Sequence, residues 1–212
     1  MIVLSIANLE DKKGKYIPFT GQWKDLLGEE QEQTGCWIIY GKPGQGKTRF
    51  TLMLARELDE MGYRVMYLTL EMGITGRFKK DVAEAGIRSK VHHIRLCDAC
   101  TVEELDEYLG SQRSPDFIFV DSIQRWDQQF SARAKEIINL RTKYRNKVFI
   151  FTSHVEGKEV EGSVAQDVKK DTFVRIMVAG FRAKYIGRGS GGDTGTFTIW
   201  EDGARREWLE DK

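Results

Sequence analysis

The chain has 212 residues, of which 41% are hydrophobic and 31% charged, and its 33 basic and 32 acidic residues give a net charge of +1. This length is enough for one α/β domain to bury a core without disulfide or metal staples. The composition excludes a membrane protein, because no apolar run approaches the roughly 18–20 residues that cross a bilayer. It also excludes a uniformly basic surface for nucleic acid, but it allows a local one.

The N-terminal residues Met1–Ala7 are apolar, but they have no basic leader and are too short for the apolar region of a signal peptide. We therefore expect a cytoplasmic protein whose first residues form a strand. Residues 1–34 are interpreted as this strand and a capping segment, and residues 35–212 as the core domain.

A glycine-rich loop, Gly41–Thr48, follows the apolar run 36–40 and matches the phosphate-binding pattern G-x-x-x-x-G-K-[ST]. Glycines let the backbone curl so that successive N–H groups point at phosphate oxygens, and the next helix adds its positive end. Lys47 is expected to reach the β- and γ-phosphates, and Thr48 to bind Mg²⁺. The loop therefore predicts that the chain binds a nucleoside triphosphate. The candidate nucleotide-binding residues are Gly41, Lys42, Pro43, Gly44, Gln45, Gly46, Lys47, Thr48 and Arg49, with Asp121 and Ser153 from later strands.

Apolar β-rich runs alternate with helical patterns along most of the chain. Strands are predicted at Cys36–Gly41, Arg64–Leu70, Val91–Leu96, Asp116–Asp121 and Lys147–Ser153, and helices at Thr48–Met61, Thr75–Ala85, Val102–Leu109 and Phe130–Tyr144. Two of the strands are continuously apolar, as parallel strands covered by helices on both faces must be. The alternation predicts an α/β fold with a mostly parallel, doubly wound sheet.

The pattern changes in the last quarter of the chain. Phe173–Phe181 alternates as a strand, and a glycine-rich tip at 187–193 separates Ala183–Ile186 from Thr196–Trp200. We expect a C-terminal antiparallel hairpin added to the sheet.

Two carboxylates end predicted strands, at the sheet edge where ligands bind in open α/β sheets. Asp121 follows the run 117–120 and is expected to hold Mg²⁺ opposite Thr48. Glu71 follows the strand that ends at Leu70 and could orient the water that attacks the γ-phosphate. The alternative for each is an acidic residue that only caps its strand.

Ser153 and His154 end another strand, where His154 would lie beside the γ-phosphate and respond to its loss. Lys184 and Arg188 lie near the glycine-rich tip, which suits a cation that reaches the nucleotide of a neighbouring subunit. A hydrogen-bonded histidine and a solvated basic hairpin are the competing interpretations. The C-x-x-C pair Cys97 and Cys100 is interpreted as structural, with metal binding and redox chemistry as alternatives.

The ordered motifs resemble those of the RecA-like P-loop ATPases, and within them the RadA/Sms and DnaB-type helicase ATPase cores. The matching residues are the phosphate loop, Thr69–Met72 (TLEM), Asp121–Gln124 (DSIQ) and Ser153–Val155 (SHV). The resemblance covers residues 35–200 and implies a sheet of order 3-2-4-5-1, Glu71 as the water-activating carboxylate, and a ring or filament with ATP and Mg²⁺ between subunits. It also implies that Gln124–Ser131 and Glu156–Asp171 are loops that face single-stranded DNA.

The resemblance is incomplete in one respect that bears on the site. The related proteins carry a lysine and an arginine two residues apart near the neighbouring subunit's nucleotide, whereas Lys184 and Arg188 are four apart.

Three functions are compatible with these features of the sequence. The first is an ATPase that couples hydrolysis to DNA repair, recombination or replication. The second is a nucleotide-gated protein-binding module, which the mixed charges of Glu156–Asp171 favour. The third is a small P-loop kinase, which the single arginine of the glycine-rich tip disfavours.

Overall fold

The structure is a computed structural model that describes residues 3–29, 31–187 and 195–209. Arg188 and most of the glycine-rich tip lie outside these residues, and the predictions for them stay predictions.

Within the described residues, one eight-stranded sheet organises the molecule. Its strands are β1 (Gly35–Tyr40), β2 (Val65–Thr69), β3 (Arg95–Cys97), β4 (Phe117–Asp121), β5 (Val148–Ser153), β8 (Val174–Ala179), β9 (Arg182–Tyr185) and β10 (Thr196–Thr198). A separate two-stranded ribbon consists of β6 (Val155–Glu156) and β7 (Glu159–Val160).

The strands lie in the order β10-β9-β8-β1-β5-β4-β2-β3. The segment from β3 to β1 is parallel and confirms the predicted order 3-2-4-5-1. Strand β8 extends this sheet in parallel to β1, and β9 and β10 then add the predicted antiparallel hairpin. Because β1, β2, β4 and β5 all run parallel, their carboxyl ends lie together at one edge of the sheet.

Helices cover both faces of the sheet. They are α1 (Ile6–Glu10), α2 (Gly21–Leu27), α3 (Lys47–Glu60), α4 (Gly76–Glu84), α5 (Val102–Leu109), α6 (Ile123–Phe130), α7 (Ala134–Lys143), α8 (Ser163–Lys170) and α9 (Glu201–Leu209). One apolar cluster joins α2, α3 and α4 to the sheet, and a second joins α5, α6, α7 and α8 to its other face. Strands between two such layers have no polar face, which explains their continuous apolar runs.

The N-terminal segment differs from the prediction. The expected first strand is wrong for the described part of 1–7, because residues 3–5 are irregular and helix α1 begins at Ile6. The rest of the segment packs on the core domain: the Trp23 ring centroid lies 5.5 Å from that of Phe50 and 4.3 Å from that of Phe197.

The helix predicted at Phe130–Tyr144 is also wrong at its start. Helix α6 ends at Phe130, Ser131 adopts a left-handed conformation with φ of 54°, and α7 begins only at Ala134. The described part of the chain contains no helix long and apolar enough to span a membrane.

Candidate functional site

The phosphate-binding loop connects β1 to α3 at the carboxyl edge of the sheet. Gly44 and Gly46 have φ of 77° and 98°, which side-chain-bearing residues rarely adopt, and α3 begins at Lys47. A Cβ atom at Gly41 would lie 2.1 Å from the Val178 carbonyl oxygen of the neighbouring strand. The glycines therefore give the loop its curled backbone and its close contact with β8.

Lys47 lies within this loop and is only 7% exposed. Its Nζ donates to the carbonyl oxygens of Gly41 at 2.9 Å and Lys42 at 3.0 Å, and it lies 3.4 Å from Nδ1 of His154. Burial lowers the pKa of Lys47, while the charges of Asp121 and Glu71 act in the opposite direction. The ammonium group is therefore close to the ends of β2, β4 and β5.

Asp121 ends β4 and is 3% exposed. Its carboxylate accepts hydrogen bonds from the hydroxyl groups of Thr152 at 2.6 Å and Tyr67 at 2.9 Å. The Tyr67 hydroxyl is also 2.7 Å from Oγ1 of Thr51 in α3. Burial raises the pKa of Asp121, and hydrogen bonds from Thr152, Tyr67 and Thr48 oppose that rise. The carboxylate is thus fixed between three elements and adjacent to Thr48.

Glu71 follows β2 and faces His154, with 3.2 Å between Oε2 of Glu71 and Nε2 of His154. The hydrogen bond from His154 is the main cause that lowers the pKa of Glu71, and the charge of Lys47 adds to it. The Glu71 side chain remains 35% exposed. An ionised carboxylate that is open to water is what orientation of a water molecule requires.

Gln124 connects the end of β5 to the segment that follows it. Its Nε2 donates to Oγ of Ser153 and to the carbonyl oxygen of Glu161, both at 2.8 Å. Its Oε1 accepts a longer hydrogen bond of 3.4 Å from the backbone N–H of His154. Gln124 therefore holds β5, His154 and the start of α8 in one arrangement.

A cavity of about 510 Å³ lies in front of these groups. Its lining residues are Pro43, Gly44, Gly46, Lys47, Thr48, Arg49, Glu71, Met72, Arg77, Asp81, Glu84, Asp121, His154, Phe181 and Trp200. Phe181 and Trp200 meet edge to face with ring centroids 5.1 Å apart, and the Arg49 guanidinium lies 5.9 Å from the Trp200 ring centroid. The cavity therefore has a polar end at the strand termini and an aromatic wall.

Most of the predicted site residues line this cavity, but four do not. Ser153 is fully buried behind it, and Lys42 and Gln45 line a second cavity beside β8. Lys184 is exposed on β9 opposite Met177. The sequence analysis missed Tyr67, Thr152, Phe181 and Trp200. A tyrosine and a threonine within otherwise apolar strands were the available signal for the first two.

The two segments expected to face DNA differ from the prediction. Residues 124–130 belong to helix α6, where Trp126 is fully buried and its Nε1 donates to the Cys100 carbonyl oxygen at 2.7 Å. Trp126 therefore cannot stack on a base without unfolding this helix.

Glu156–Asp171 forms the β6–β7 ribbon and α8 instead of an open loop. Two of its lysines make ion pairs, Lys169 with Glu159 at 2.8 Å and Lys170 with Asp167 at 2.7 Å. Lys158 is exposed at the turn of the ribbon.

No protein-family model matches the chain. Over 102 residues it is 26% identical to the DNA repair protein RadA of Chlamydia muridarum, which covers 48% of this chain and 22% of that protein. Over 104 residues it is 30% identical to the DNA repair and recombination protein RadB of Methanobrevibacter smithii, covering 49% and 44%. The chain thus spans less than half the length of these two curated relatives.

A solved helicase ATPase domain has a similar structure, with a TM-score of 0.59 over 90% of both chains and 12% sequence identity. This likeness is one of fold. Together with the strand order and the phosphate-binding loop, these comparisons show that the chain has the RecA-like P-loop ATPase fold and resembles the RadA and DnaB-type cores.

Proposed function

We propose that the chain is a magnesium-dependent ATPase that couples ATP hydrolysis to DNA repair, recombination or replication as a homo-oligomer. The observation that carries this proposal is the convergence of Lys47, Glu71, Asp121 and His154 on one cavity next to the glycine-rich loop. The RadA and RadB names and the fold shared with the helicase ATPase domain support it.

The residues of the site fit a triphosphate and its Mg²⁺. The positive φ values of Gly44 and Gly46 are those of a loop whose N–H groups surround phosphate oxygens. Thr48 and the buried Asp121 carboxylate would hold Mg²⁺, which offsets the negative charge of the phosphates. Lys47 would exchange its two loop carbonyls for β- and γ-phosphate oxygens.

In this proposal Glu71 performs the proton transfer of hydrolysis. Its carboxylate accepts a proton from a water molecule while the water oxygen bonds to the γ-phosphorus and the bond to the β–γ bridging oxygen breaks, which releases ADP. His154 fixes the carboxylate through the 3.2 Å contact and keeps it ionised. Gln124 relates the position of His154 to that of the following segment.

The aromatic wall suggests where the base lies. Trp200 presents a partly exposed ring between the Arg49 and Arg206 guanidinium groups, 5.9 Å and 5.7 Å from the ring centroid. A flat surface beside the loop suits stacking with a nucleobase. Stacking alone does not select adenine, so we take ATP from the relatives rather than from this surface.

DNA binding and assembly depend on the comparisons more than on the geometry. We keep Lys184 and Arg188 as candidates to reach a neighbouring subunit's nucleotide, and we add Arg182, which lies two residues from Lys184 on the same face of β9. The exposed Lys158 on the β6–β7 ribbon is the candidate of Glu156–Asp171 for a phosphate contact with DNA.

ATP turnover with and without single-stranded DNA tests the proposal, with Glu71→Gln as the variant and Glu103→Gln, an exposed residue of α5, as the control. We expect DNA-stimulated turnover by the parent chain and the control, and a loss of about 10²–10⁴-fold in Glu71→Gln, which is the usual contribution of a general base. Negligible turnover by the parent chain in both conditions would refute the ATPase.

The second candidate is a nucleotide-gated protein-binding module. The ion pairs of Lys169 and Lys170 favour it, because they leave little free positive charge on α8. ATP-dependent capture of a protein partner, combined with no affinity for oligonucleotides at low salt, would select this function over the first.

A further inference from the structure

The pair Cys97 and Cys100 lies apart from the residues that line the nucleotide cavity. Cys97 is the last residue of edge strand β3, and Cys100 directly precedes Thr101, the N-cap of α5. A reciprocal pair of hydrogen bonds between Thr101 and Glu104, of 2.8 Å and 3.2 Å, fixes the start of this helix. The two cysteines are thus on a short connection that is fixed at both ends.

The two thiols differ in exposure. Cys97 is partly exposed, whereas Cys100 is 5% exposed. The Cys100 carbonyl oxygen accepts the hydrogen bond from Trp126, whose side chain is fully buried, so the Cys100 backbone is anchored in the core. An accessible thiol therefore lies beside a protected and fixed one.

The thiols also interact with each other. The hydrogen bond from Cys100, with a backbone hydrogen bond from Ala99, lowers the pKa of Cys97 to about 6 against the opposing effects of burial, Asp98 and Glu104. The same contact and burial raise the pKa of Cys100. Cys97 is therefore the thiolate of the pair, and Cys100 holds the proton.

Metal binding is the other chemistry that a C-x-x-C pair could serve. A structural zinc site takes four ligands from cysteine, histidine or carboxylate side chains. Among residues 3–29, 31–187 and 195–209, no group of three or more such side chains is placed to hold a metal ion. Thiol chemistry accounts for the asymmetry of the pair, and a metal site does not.

We propose that Cys97 and Cys100 are a dithiol–disulfide site that reacts with low-molecular-weight disulfides, with Cys97 as the attacking thiol and Cys100 as the resolving thiol. The Cys97 thiolate attacks one sulfur of the small disulfide, forms a mixed disulfide and expels one thiolate. Cys100 then gives up its proton and attacks the Cys97 sulfur, which forms the Cys97–Cys100 bond and expels the second thiolate. The protein loses two electrons and two protons overall, and the small disulfide gains them. This inference does not rest on the proposed function.

Glutathione disulfide is the probe for the experiment, and intact-mass measurement with peptide mapping is the readout. The parent chain is expected to lose two hydrogens and to give a peptide that links Cys97 to Cys100. Cys100→Ser is expected to keep one glutathione on Cys97, because no resolving thiol is present. Cys97→Ser is expected to remain unmodified, and Cys36→Ser is the control, since burial raises the pKa of Cys36 and leaves it unreactive.

Three results would overturn the inference. They are a parent chain that stays reduced, a parent chain that keeps glutathione on Cys97 without forming the internal bond, and a Cys97→Ser variant modified as fast as Cys100→Ser. The parent chain alone decides the first two, so a folding defect in a variant leaves the test valid.

Discussion

Replacing Gln124 by alanine should separate the end of β5 from α8. The side chain is 9% exposed and provides the two 2.8 Å hydrogen bonds to Ser153 and to the Glu161 carbonyl oxygen. The longer contact with the His154 N–H adds little, because hydrogen bonds weaken with distance.

The expected magnitude follows from these contacts. A hydrogen bond contributes about 0.5–1.5 kcal/mol net, so two such bonds correspond to a loss of about 1–3 kcal/mol in the free energy of unfolding. The Glu161 carbonyl oxygen also loses this partner, which places the expected loss in the upper half of the range. Gln128 is one turn further along α6 and exposed, so Gln128→Ala should change the stability by less than about 0.5 kcal/mol.

Urea unfolding of the two variants measures the difference, provided that the denaturant slope stays constant. Amide hydrogen exchange then shows where the change lies, and we expect faster exchange at residues 154–161 in Gln124→Ala. Equal unfolding midpoints for Gln124→Ala and Gln128→Ala would refute the role of Gln124 as the connection between these elements.

Three further predictions concern the nucleotide cavity. Gly41→Ala should lower stability by about 1–3 kcal/mol, measured by urea unfolding, because its Cβ would collide with the Val178 carbonyl oxygen. Trp200→Ala should weaken binding of a fluorescent ATP analogue about tenfold, because one base–aromatic stack contributes about 1–3 kcal/mol. His154→Asn should shift the acidic limb of the turnover profile to higher pH, because the hydrogen bond from His154 is the main cause of the lowered pKa of Glu71.

Each of these changes has a matched control. Gly76→Ala introduces a Cβ into open space, and Tyr16→Ala removes an exposed aromatic ring that does not line the cavity. His93→Asn removes an exposed histidine that does not contact Glu71. A variant that behaves as its control would contradict the corresponding contact.

The pKa shift of Glu71 also fixes the sign of its effect on stability. Its folded-state pKa lies below the ordinary value of 4.5, so the carboxylate is stabilised by folding. That contribution is present above the ordinary pKa and is lost as the pH falls through the folded-state pKa. In His154→Asn the loss should begin at a higher pH.

The fold was predictable because its signals are local. Continuous apolar strands, the glycine-rich loop and alternation with helices determine a parallel sheet, and the resemblance supplied its order. Helix α6 was missed because it has only eight residues, and a tryptophan followed by charged and amide side chains suggested a DNA-facing loop. Its burial under α5 depends on a hydrogen bond to Cys100, 26 residues away, which no local pattern reveals.

The site was predictable only in part for the same reason. Lys47, Glu71, Asp121 and His154 each follow a strand, and parallel strands bring their ends together. Trp200 enters the cavity because the C-terminal hairpin returns beside the phosphate-binding loop, where Gly46 lies close to Phe181 and Ile199. That contact joins residues more than a hundred positions apart, and the sequence carries no signal for it.

Calorimetric titration with a non-hydrolysable ATP analogue, with and without Mg²⁺, tests the central claim most directly. The parent chain should bind one equivalent with a requirement for Mg²⁺. Lys47→Ala should bind at least about tenfold more weakly, since a hydrogen bond to a charged group contributes about 1.5–3 kcal/mol. Lys42→Ala, which removes an exposed side chain of the same loop, should bind as the parent does. No binding by the parent chain, or equal affinity in Lys47→Ala, would contradict the account.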